Sequence, residues 1–120
     1  MNKNTLVLGA SINTGRYSNI SIRKLREKKY KTFAIGNKKG FVLDVEIFDN
    51  KQIVENIDTV TLYLNPERQK EYYDYILELH PRRVIFNPGT ENKDLMQLLK
   101  EHDINSEIAC TLVLLSTNQY

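Results

Sequence analysis

The chain has 120 residues, of which 41% are hydrophobic and 27% are charged, and its formal net charge is +2. This length can bury one hydrophobic core, and we expect a single domain over residues 1–120. The charge is too small to indicate a nucleic-acid partner, and we interpret the basic residues between Arg23 and Lys31 as a solvated helix face. No apolar run of about eighteen residues predicts a membrane span, and no signal peptide is expected. The single cysteine, Cys110, cannot form an internal disulfide bond, which fits a cytoplasmic protein.

The first half of the chain predicts two strands separated by a helix. Thr5–Leu8 is a short apolar run that breaks into glycine and small polar residues, and a helix begins near Ser18. Thr32–Ile35 predicts the second strand. Gly40–Phe48 alternates weakly between apolar and polar residues, as an extended excursion does, and a short helix is expected over residues 51–56.

The second half repeats this alternation more clearly. Thr59–Leu64 is rich in β-branched and aromatic residues and predicts the third strand. Asn65-Pro66-Glu67 is typical of a helix start, because asparagine caps the helix, proline fits its first turn and an acid favours its dipole. Pro81 ends that helix. The remaining segments are a fourth strand at Val84–Phe86, a helix marked by Leu95, Leu98 and Leu99, a fifth strand at Asn105–Ile108, and the apolar segment Thr111–Leu115, which fits no single state.

Strands that alternate with helices need crossover connections, which produce a mostly parallel sheet with helices on both faces. Right-handed crossovers predict an α/β fold with one doubly wound, five-stranded sheet in the order 3-2-1-4-5. In such a sheet ligands bind beyond the carboxyl ends of the strands, where the strand order reverses. The residues that follow the strands therefore form the candidate site.

Four turns follow the carboxyl ends of the first four predicted strands. The first turn combines glycine and small polar residues with a helix start, an arrangement that binds phosphate through backbone N–H groups. An Asn-Pro pair alone is a common turn former, but the position of all four turns on one rim favours a binding site. The candidate residues are Gly9, Ala10, Ser11, Thr14, Gly15 and Arg16 in the first turn, Asn37, Lys38 and Lys39 in the second, Asn65 and Pro66 in the third, and Asn87, Pro88, Gly89 and Thr90 in the fourth.

The choice of nucleotide depends on the first two turns. The dinucleotide fingerprint G-x-G-x-x-G is absent, because Ser11 replaces the second glycine and Gly15 comes one position late. NAD also requires an acid near the end of the second strand, where this chain has Lys38 and Lys39. Lysines there suit a phosphate on the adenosine ribose, as in NADP or coenzyme A, although an ordinary basic turn has the same composition.

Several segments resemble the small stand-alone CoA-binding proteins, which are similar to the N-terminal Rossmann-like domain of the succinyl-CoA ligase α subunit. The segments that carry the resemblance are Val7–Ser11, Arg16–Ser18, Thr59–Arg68, Arg82–Asn92 and Ala109–Val113. The resemblance implies a Rossmann-like domain that binds coenzyme A (CoA), with the first turn at the pyrophosphate and the second at the adenosine end. It also implies that the Asn65-Pro66 and Asn87–Thr90 turns line the rest of the cleft. The loop Gly36–Gly40 departs from the family, whose members often have a proline and further glycines there.

The sequence predicts no complete catalytic site and no metal site. Succinyl-CoA ligases use a phosphorylated histidine on a second domain, and we expect no such domain in this chain. His80 and His102 fall near predicted helix ends, where a structural role is expected. Glu91 is either a base on the rim or a helix-capping acid. Cys110 is either a small core residue or a group at the same rim that contacts the thiol arm of CoA.

The sequence therefore predicts a cytoplasmic small-molecule binding module that holds CoA or an acyl-CoA without a complete catalytic site. Two alternatives stay open at this point: an NADP-dependent oxidoreductase fragment, and a vestigial nucleotide-binding fold that acts as a protein-interaction module. No nucleic-acid or membrane partner is expected. The sequence leaves open whether the chain forms a homodimer or binds a protein partner.

Overall fold

The computed structural model describes residues 2–120 and contains one seven-stranded sheet in the order β3-β4-β2-β1-β5-β6-β7. Neighbouring strands are parallel except for the β3–β4 pair. The strands are β1 (Thr5–Ala10), β2 (Thr32–Gly36), β3 (Gly40–Val42), β4 (Val45–Phe48), β5 (Thr59–Leu62), β6 (Arg83–Phe86) and β7 (Asn105–Ile108). The helices are α1 (Tyr17–Glu27), α2 (Pro66–Gln69), a 3-10 turn (Lys70–Tyr72), α3 (Tyr73–Leu79), α4 (Lys93–Glu101) and α5 (Thr111–Ser116).

Successive side chains of β1 enter two different hydrophobic cores, one on each face of the sheet. Leu6 and Leu8 belong to a core that includes Ile76 of α3 and Leu95 and Leu99 of α4. The other core contains Val7 and Ala10 together with side chains of α1 and α5, namely Ile22, Leu25 and Leu115. Both faces of the parallel sheet are thus covered by helices, as its apolar strands require. The predicted α/β fold with a mostly parallel, doubly wound sheet is confirmed.

The predicted number and order of strands are wrong. Gly40–Phe48 forms the hairpin β3–β4, in which Val45 and Ile47 are buried. Strand β4 occupies the place beside β2 that the order 3-2-1-4-5 gave to Thr59–Leu64. That strand, β5, instead pairs with β1 from Thr5↔Thr59 to Leu8↔Leu62. The strand order still reverses at β1, which has β2 on one side and β5 on the other.

One local prediction is also corrected, and one segment that the sequence left open is assigned. Residues 51–56 contain no helix, because the segment has little apolar surface to bury: Ile53 is fully exposed. Thr111–Leu115, which the sequence left unassigned, lies in helix α5 with Thr111 and Leu115 buried. The helix start at Asn65 is confirmed, since the Asn65 side chain accepts a hydrogen bond from the Arg68 N–H and Pro66 occupies the first helical position. No helix within residues 2–120 is both long and apolar enough to cross a membrane.

Candidate functional site

A cleft of about 540 Å³ opens at the point where the strand order reverses. Its walls come from the carboxyl ends of β1, β2 and β5, from the turn after β6, and from the first residues of α1 and α2. Ligand pockets in proteins commonly have volumes of about 300–1,000 Å³, so the cleft is large enough for a nucleotide. We call this site the switch-point cleft.

The turn between β1 and α1 forms one wall and is held in shape by its own polar side chains. Ser11 Oγ accepts a hydrogen bond from the Asn13 N–H (3.0 Å), and Asn13 Oδ1 accepts one from the Gly15 N–H (2.9 Å). Buried Asn19 on α1 donates from Nδ2 to the Ser11 carbonyl oxygen (2.9 Å). The turn is therefore braced at three points before any ligand arrives.

Gly9 is required in this turn for a reason other than ligand approach. Its φ of +95° lies in a region that favours glycine. A Cβ at this position would lie 2.9 Å from the Tyr63 carbonyl carbon and 3.2 Å from Leu64 Cδ2. The missing side chain would point at the chain that follows β5, so the packing of this turn requires glycine whether or not a ligand is bound.

Helix α1 begins at this turn and offers free backbone donors. The N–H groups of Tyr17 and Ser18 have no acceptor within residues 2–120. The first turn of α1 contains no acidic residue, and the N-cap residue Arg16 makes no capping bond through its side chain. Free N–H groups and the positive end of a helix dipole favour an anion at this place.

The arginines divide into two groups according to their distance from the cleft. Away from it, each guanidinium pairs with a carboxylate: Arg26 with Asp44, Arg82 with Asp58, and Arg83 with Glu107. Arg16, Arg23 and Arg68 form no ion pair with any carboxylate in residues 2–120. Arg16 and Arg68 line the cleft, and Arg23 donates to the Thr14 carbonyl oxygen of the first turn (3.3 Å).

The residues that line the cleft therefore make it electropositive. They include Arg16, Lys38 and Arg68 but neither aspartate nor glutamate. The side chains of Arg68 and Asn37 form a hydrogen bond, which joins α2 to the loop after β2. This arrangement suits a ligand that carries several negative charges.

The structure brings half of the predicted site residues together. Those that line the cleft are Gly9, Ala10, Ser11, Arg16, Asn37, Lys38, Pro88 and Thr90. Those that do not are Thr14, Gly15, Lys39, Asn65, Pro66, Asn87, Gly89 and Cys110. Thr14 and Gly15 belong to the braced turn, Asn65 and Pro66 start α2, and Gly89 is exposed with φ +91°.

Asn87 and Thr90 form a buried structural link beneath the cleft. Asn87 Nδ2 donates to Thr61 Oγ1 (2.7 Å) and to the Leu62 carbonyl oxygen (2.9 Å), while its Oδ1 accepts from the Thr111 N–H (2.9 Å). The Thr90 hydroxyl donates to the Asn87 carbonyl oxygen (2.8 Å). The side chain of Asn87 thus joins β5, the turn after β6 and helix α5.

Tyr63 forms the floor of the cleft and was missed by the sequence analysis. Its hydroxyl pairs with Ser21 Oγ, and burial raises the pKa of Tyr63 above its ordinary value of 10.0 despite hydrogen bonds from Ser21 and Thr111 that lower it. The phenol is therefore protonated at neutral pH and serves as a hydrogen-bonding group. Cys110 is partly exposed and close enough to Tyr63 to influence this pKa.

The other lining residues that the sequence analysis did not select are Ile12, Asn13, Tyr17, Ser18, Leu64 and Arg68. Ile12 and Asn13 lie between Ser11 and Thr14 in the first turn, so their position between two predicted site residues could have identified them. The sequence did not indicate Arg68 as a site residue, because nothing in the first turn of α2 distinguishes it from an ordinary helical residue.

The histidines lie outside the cleft. Hydrogen bonds link His80 Nε2 to the His102 carbonyl oxygen (3.1 Å) and His102 Nδ1 to the Leu98 carbonyl oxygen (2.9 Å). Glu91 Oε1 accepts a hydrogen bond from the Gly89 N–H (2.9 Å), and Asn92 rather than Glu91 caps helix α4. No cluster of three or more potential metal ligands occurs in the described part of the chain.

Comparison with known proteins assigns the sequence to a family. The sequence model of the CoA binding domain matches residues 3–116. The chain belongs to the CoA-binding domain family. A crystal structure of an uncharacterized protein is 45% identical to it, with a TM-score of 0.96 over 100% of this chain and 99% of that one.

More distant structures share the fold of this CoA-binding domain. A protein from Thermus thermophilus is 20% identical, with a TM-score of 0.87 over 99% of this chain and 91% of that one. A hypothetical protein from Pyrococcus horikoshii OT3 is 23% identical, with a TM-score of 0.81 over 93% of this chain and 80% of that one. No curated protein matches the chain.

Proposed function

We propose that this protein is a cytoplasmic binding module that holds CoA, free or as an acyl thioester, in the switch-point cleft without catalysing a reaction by itself. The observation that carries the proposal is the unpaired positive charge of the cleft in a chain that belongs to the CoA-binding domain family. CoA is strongly anionic, since it carries a pyrophosphate and a ribose phosphate. The unpaired cations and the free helix N–H groups supply the matching field.

The four turns divide the ligand between them in this proposal. The pyrophosphate lies against the Gly9–Arg16 turn, where the Tyr17 and Ser18 N–H groups are free. The adenosine end lies against Asn37 and Lys38, the residues that follow β2. The pantetheine arm runs past Pro88 and Thr90 toward Tyr63 and Cys110. Asn65 and Asn87 hold the turns in place rather than contact the ligand.

The composition of the cleft supports binding without catalysis. Its titratable side chains are Arg16, Lys38, Arg68 and two tyrosines, and the two histidines and Cys110 do not line it. General acid–base catalysis near neutral pH uses a group whose pKa lies close to the working pH. Burial moves the pKa of Tyr63 in the opposite direction, away from neutrality.

Thermal unfolding with and without ligand tests the proposal. CoA at about one hundred times its dissociation constant stabilises a folded domain by about 2.7 kcal/mol. For a domain of this size we expect a melting temperature higher by about 10 °C. Calorimetric titration of Arg16→Ala should show weaker CoA binding, while Arg26→Ala, whose guanidinium pairs with Asp44 away from the cleft, should bind as the parent does.

The same melting experiment, carried out with NADPH as well as CoA, separates the alternatives. Stabilisation by NADPH but not by millimolar CoA would contradict the proposal in favour of a nicotinamide-binding fragment. Failure of both ligands to bind would instead favour a fold that serves protein interactions.

A further inference from the structure

Arg68 occupies a position in the switch-point cleft that the four-turn arrangement does not explain. It lies in the first turn of α2, on the β5 side, yet its guanidinium donates to Asn37 Oδ1 on the β2 side. Because β1 lies between these two strands, the side chain crosses the cleft above the carboxyl end of β1.

The backbone that carries Arg68 is held firmly. Its N–H donates to Asn65 Oδ1 (2.9 Å), which caps the helix. The next residue, Gln69, is buried and donates from Nε2 to the carbonyl oxygens of Leu64 and Thr90, at 2.8 Å each. The backbone of Arg68 is therefore fixed in the cleft wall. The guanidinium can move only by rotation about the bonds of its own side chain.

The charge of Arg68 is not neutralised by its neighbours. The adjacent carboxylate of Glu67 pairs with Lys70 (2.9 Å) and forms no ion pair with Arg68. Asn37, the partner that Arg68 does have, is a neutral amide and uses few of the five N–H donors of a guanidinium. The ammonium group of Lys38 belongs to the same cleft wall as Asn37, so that two cations flank the cleft with no carboxylate among its lining residues.

We propose that Arg68 and Lys38, from opposite walls of the cleft, together bind the ribose phosphate of CoA, and that Arg68 exchanges its hydrogen bond with Asn37 for this phosphate. The inference rests on the proposed function and adds the group that discriminates between cofactors. A phosphomonoester carries about −1.5 to −2 charges near neutral pH, and a guanidinium binds it through two parallel hydrogen bonds. Lys39, which the sequence paired with Lys38, does not line the cleft and has no part in this site.

The position of the pair distinguishes the ribose phosphate from the pyrophosphate. In doubly wound sheets the residues after the second strand face the adenosine ribose, whereas the first turn and its helix face the pyrophosphate. Asn37 and Lys38 are the residues after β2, and Arg68 is hydrogen-bonded to Asn37 rather than to the first turn. A phosphate on the ribose is therefore the group within reach of both cations.

Titration calorimetry with CoA and dephospho-CoA tests this inference, because the two ligands differ only in the ribose phosphate. We expect the parent protein to prefer CoA by about tenfold to a hundredfold. Arg68→Ala and Lys38→Ala should each reduce that preference by about tenfold and change dephospho-CoA affinity less than about twofold. Arg68→Lys should recover part of the preference, since a lysine keeps the charge but loses the paired hydrogen bonds. Lys39→Ala is the matched control and should leave the preference unchanged.

The exposed site adds a second readout, because screening by salt weakens contacts between exposed charges. The CoA preference of the parent should fall as sodium chloride rises, and that of Arg68→Ala should change less. An unchanged preference in Arg68→Ala, or an equal loss of affinity for both ligands, would overturn the role of Arg68 while leaving CoA binding intact. A parent protein that binds neither ligand would overturn the proposed function as well, so the two failures are distinguishable. The melting temperature of each ligand-free variant verifies that it is folded.

Discussion

Asn65 and Asn87 lie in turns with similar sequences, Leu64-Asn65-Pro66-Glu67 and Phe86-Asn87-Pro88-Gly89. In the structure, however, the two side chains make different numbers of hydrogen bonds. Asn65 is exposed and makes one capping bond to the Arg68 N–H. Asn87 is 2% exposed, and its amide satisfies groups on β5 and α5 at once. We therefore predict very different costs for replacing each asparagine by alanine.

The magnitudes follow from the groups that lose their partners. In Asn87→Ala the Leu62 carbonyl and the Thr111 N–H each lose a buried partner, and an unsatisfied buried group costs about 1–3 kcal/mol. We expect a loss of about 3 kcal/mol in the free energy of unfolding. Asn65→Ala removes one exposed helix cap, which costs about 1 kcal/mol. At about 4 °C for each kcal/mol, the melting temperature should fall by about 12 °C and about 4 °C respectively.

Calorimetric or circular-dichroism melting of the two variants and the parent, without ligand, measures this difference. The Thr61 hydroxyl remains bonded to the Thr111 hydroxyl (2.8 Å) in Asn87→Ala, so the variant keeps one direct link between β5 and α5 and should still fold. Equal shifts for the two variants would refute the structural role of Asn87. The residue would then be free to contact ligand, as the sequence analysis expected.

Two further predictions concern an acid and a thiol. Burial raises the pKa of Asp58, but hydrogen bonds from Arg82 and Thr59 outweigh this effect and leave the pKa below its ordinary value of 3.8. The stability that Asp58 contributes is therefore present above about pH 4 and is lost as the pH falls through the folded-state pKa. Urea unfolding at pH 7 and at about pH 3 should show a smaller loss of stability for Asp58→Asn than for the parent, and equal losses would contradict this. Cys110, partly exposed near Tyr63, should react with a thiol reagent in the folded protein and be protected by saturating CoA; an equal rate with and without CoA would exclude the thiol arm from this end of the cleft.

The parts of the fold that depend on local pattern were predictable. The apolar run of β1, the narrow face of α1 with Ser18, Ser21, Ile22 and Leu25 buried, and the Asn65 cap all appear where the sequence indicated. The strand order was not, because it depends on which strand pairs with the second edge of β2. Strand β4 is only four residues long and follows a three-residue partner, and its weak alternation in the sequence resembled a loop.

The sequence could predict which turns form the candidate site, because these turns follow strand ends, but it could not predict which side chains in each turn face the cleft. The first two residues after each parallel strand share one edge of the sheet, which explains why Ser11, Lys38 and Pro88 meet in one cleft. The neighbours in sequence of Lys38 and Pro88 behave differently: Lys39 and Gly89 are exposed outside the cleft, and Asn87 is turned into the protein. One step along a turn reverses the direction of a side chain, and the sequence does not specify that direction.

The positive charge of the cleft also depends on where the fold places each charged side chain. The sequence has a nearly balanced composition, with a formal net charge of +2, which by itself does not indicate an anion site. The fold separates its arginines by pairing: Arg26 and Arg82 form ion pairs with Asp44 and Asp58, and Glu67 pairs with Lys70, so that Arg68 has no carboxylate partner in residues 2–120. An electropositive cleft thus arises in a nearly neutral protein because, in the part of the chain that the structure describes, no carboxylate lines it and the arginine and lysine side chains that face it have no acidic partner. Affinity for an anionic ligand is then governed by which pairs the fold forms, and a substitution that freed Glu67 from Lys70 would weaken CoA binding without touching the ligand.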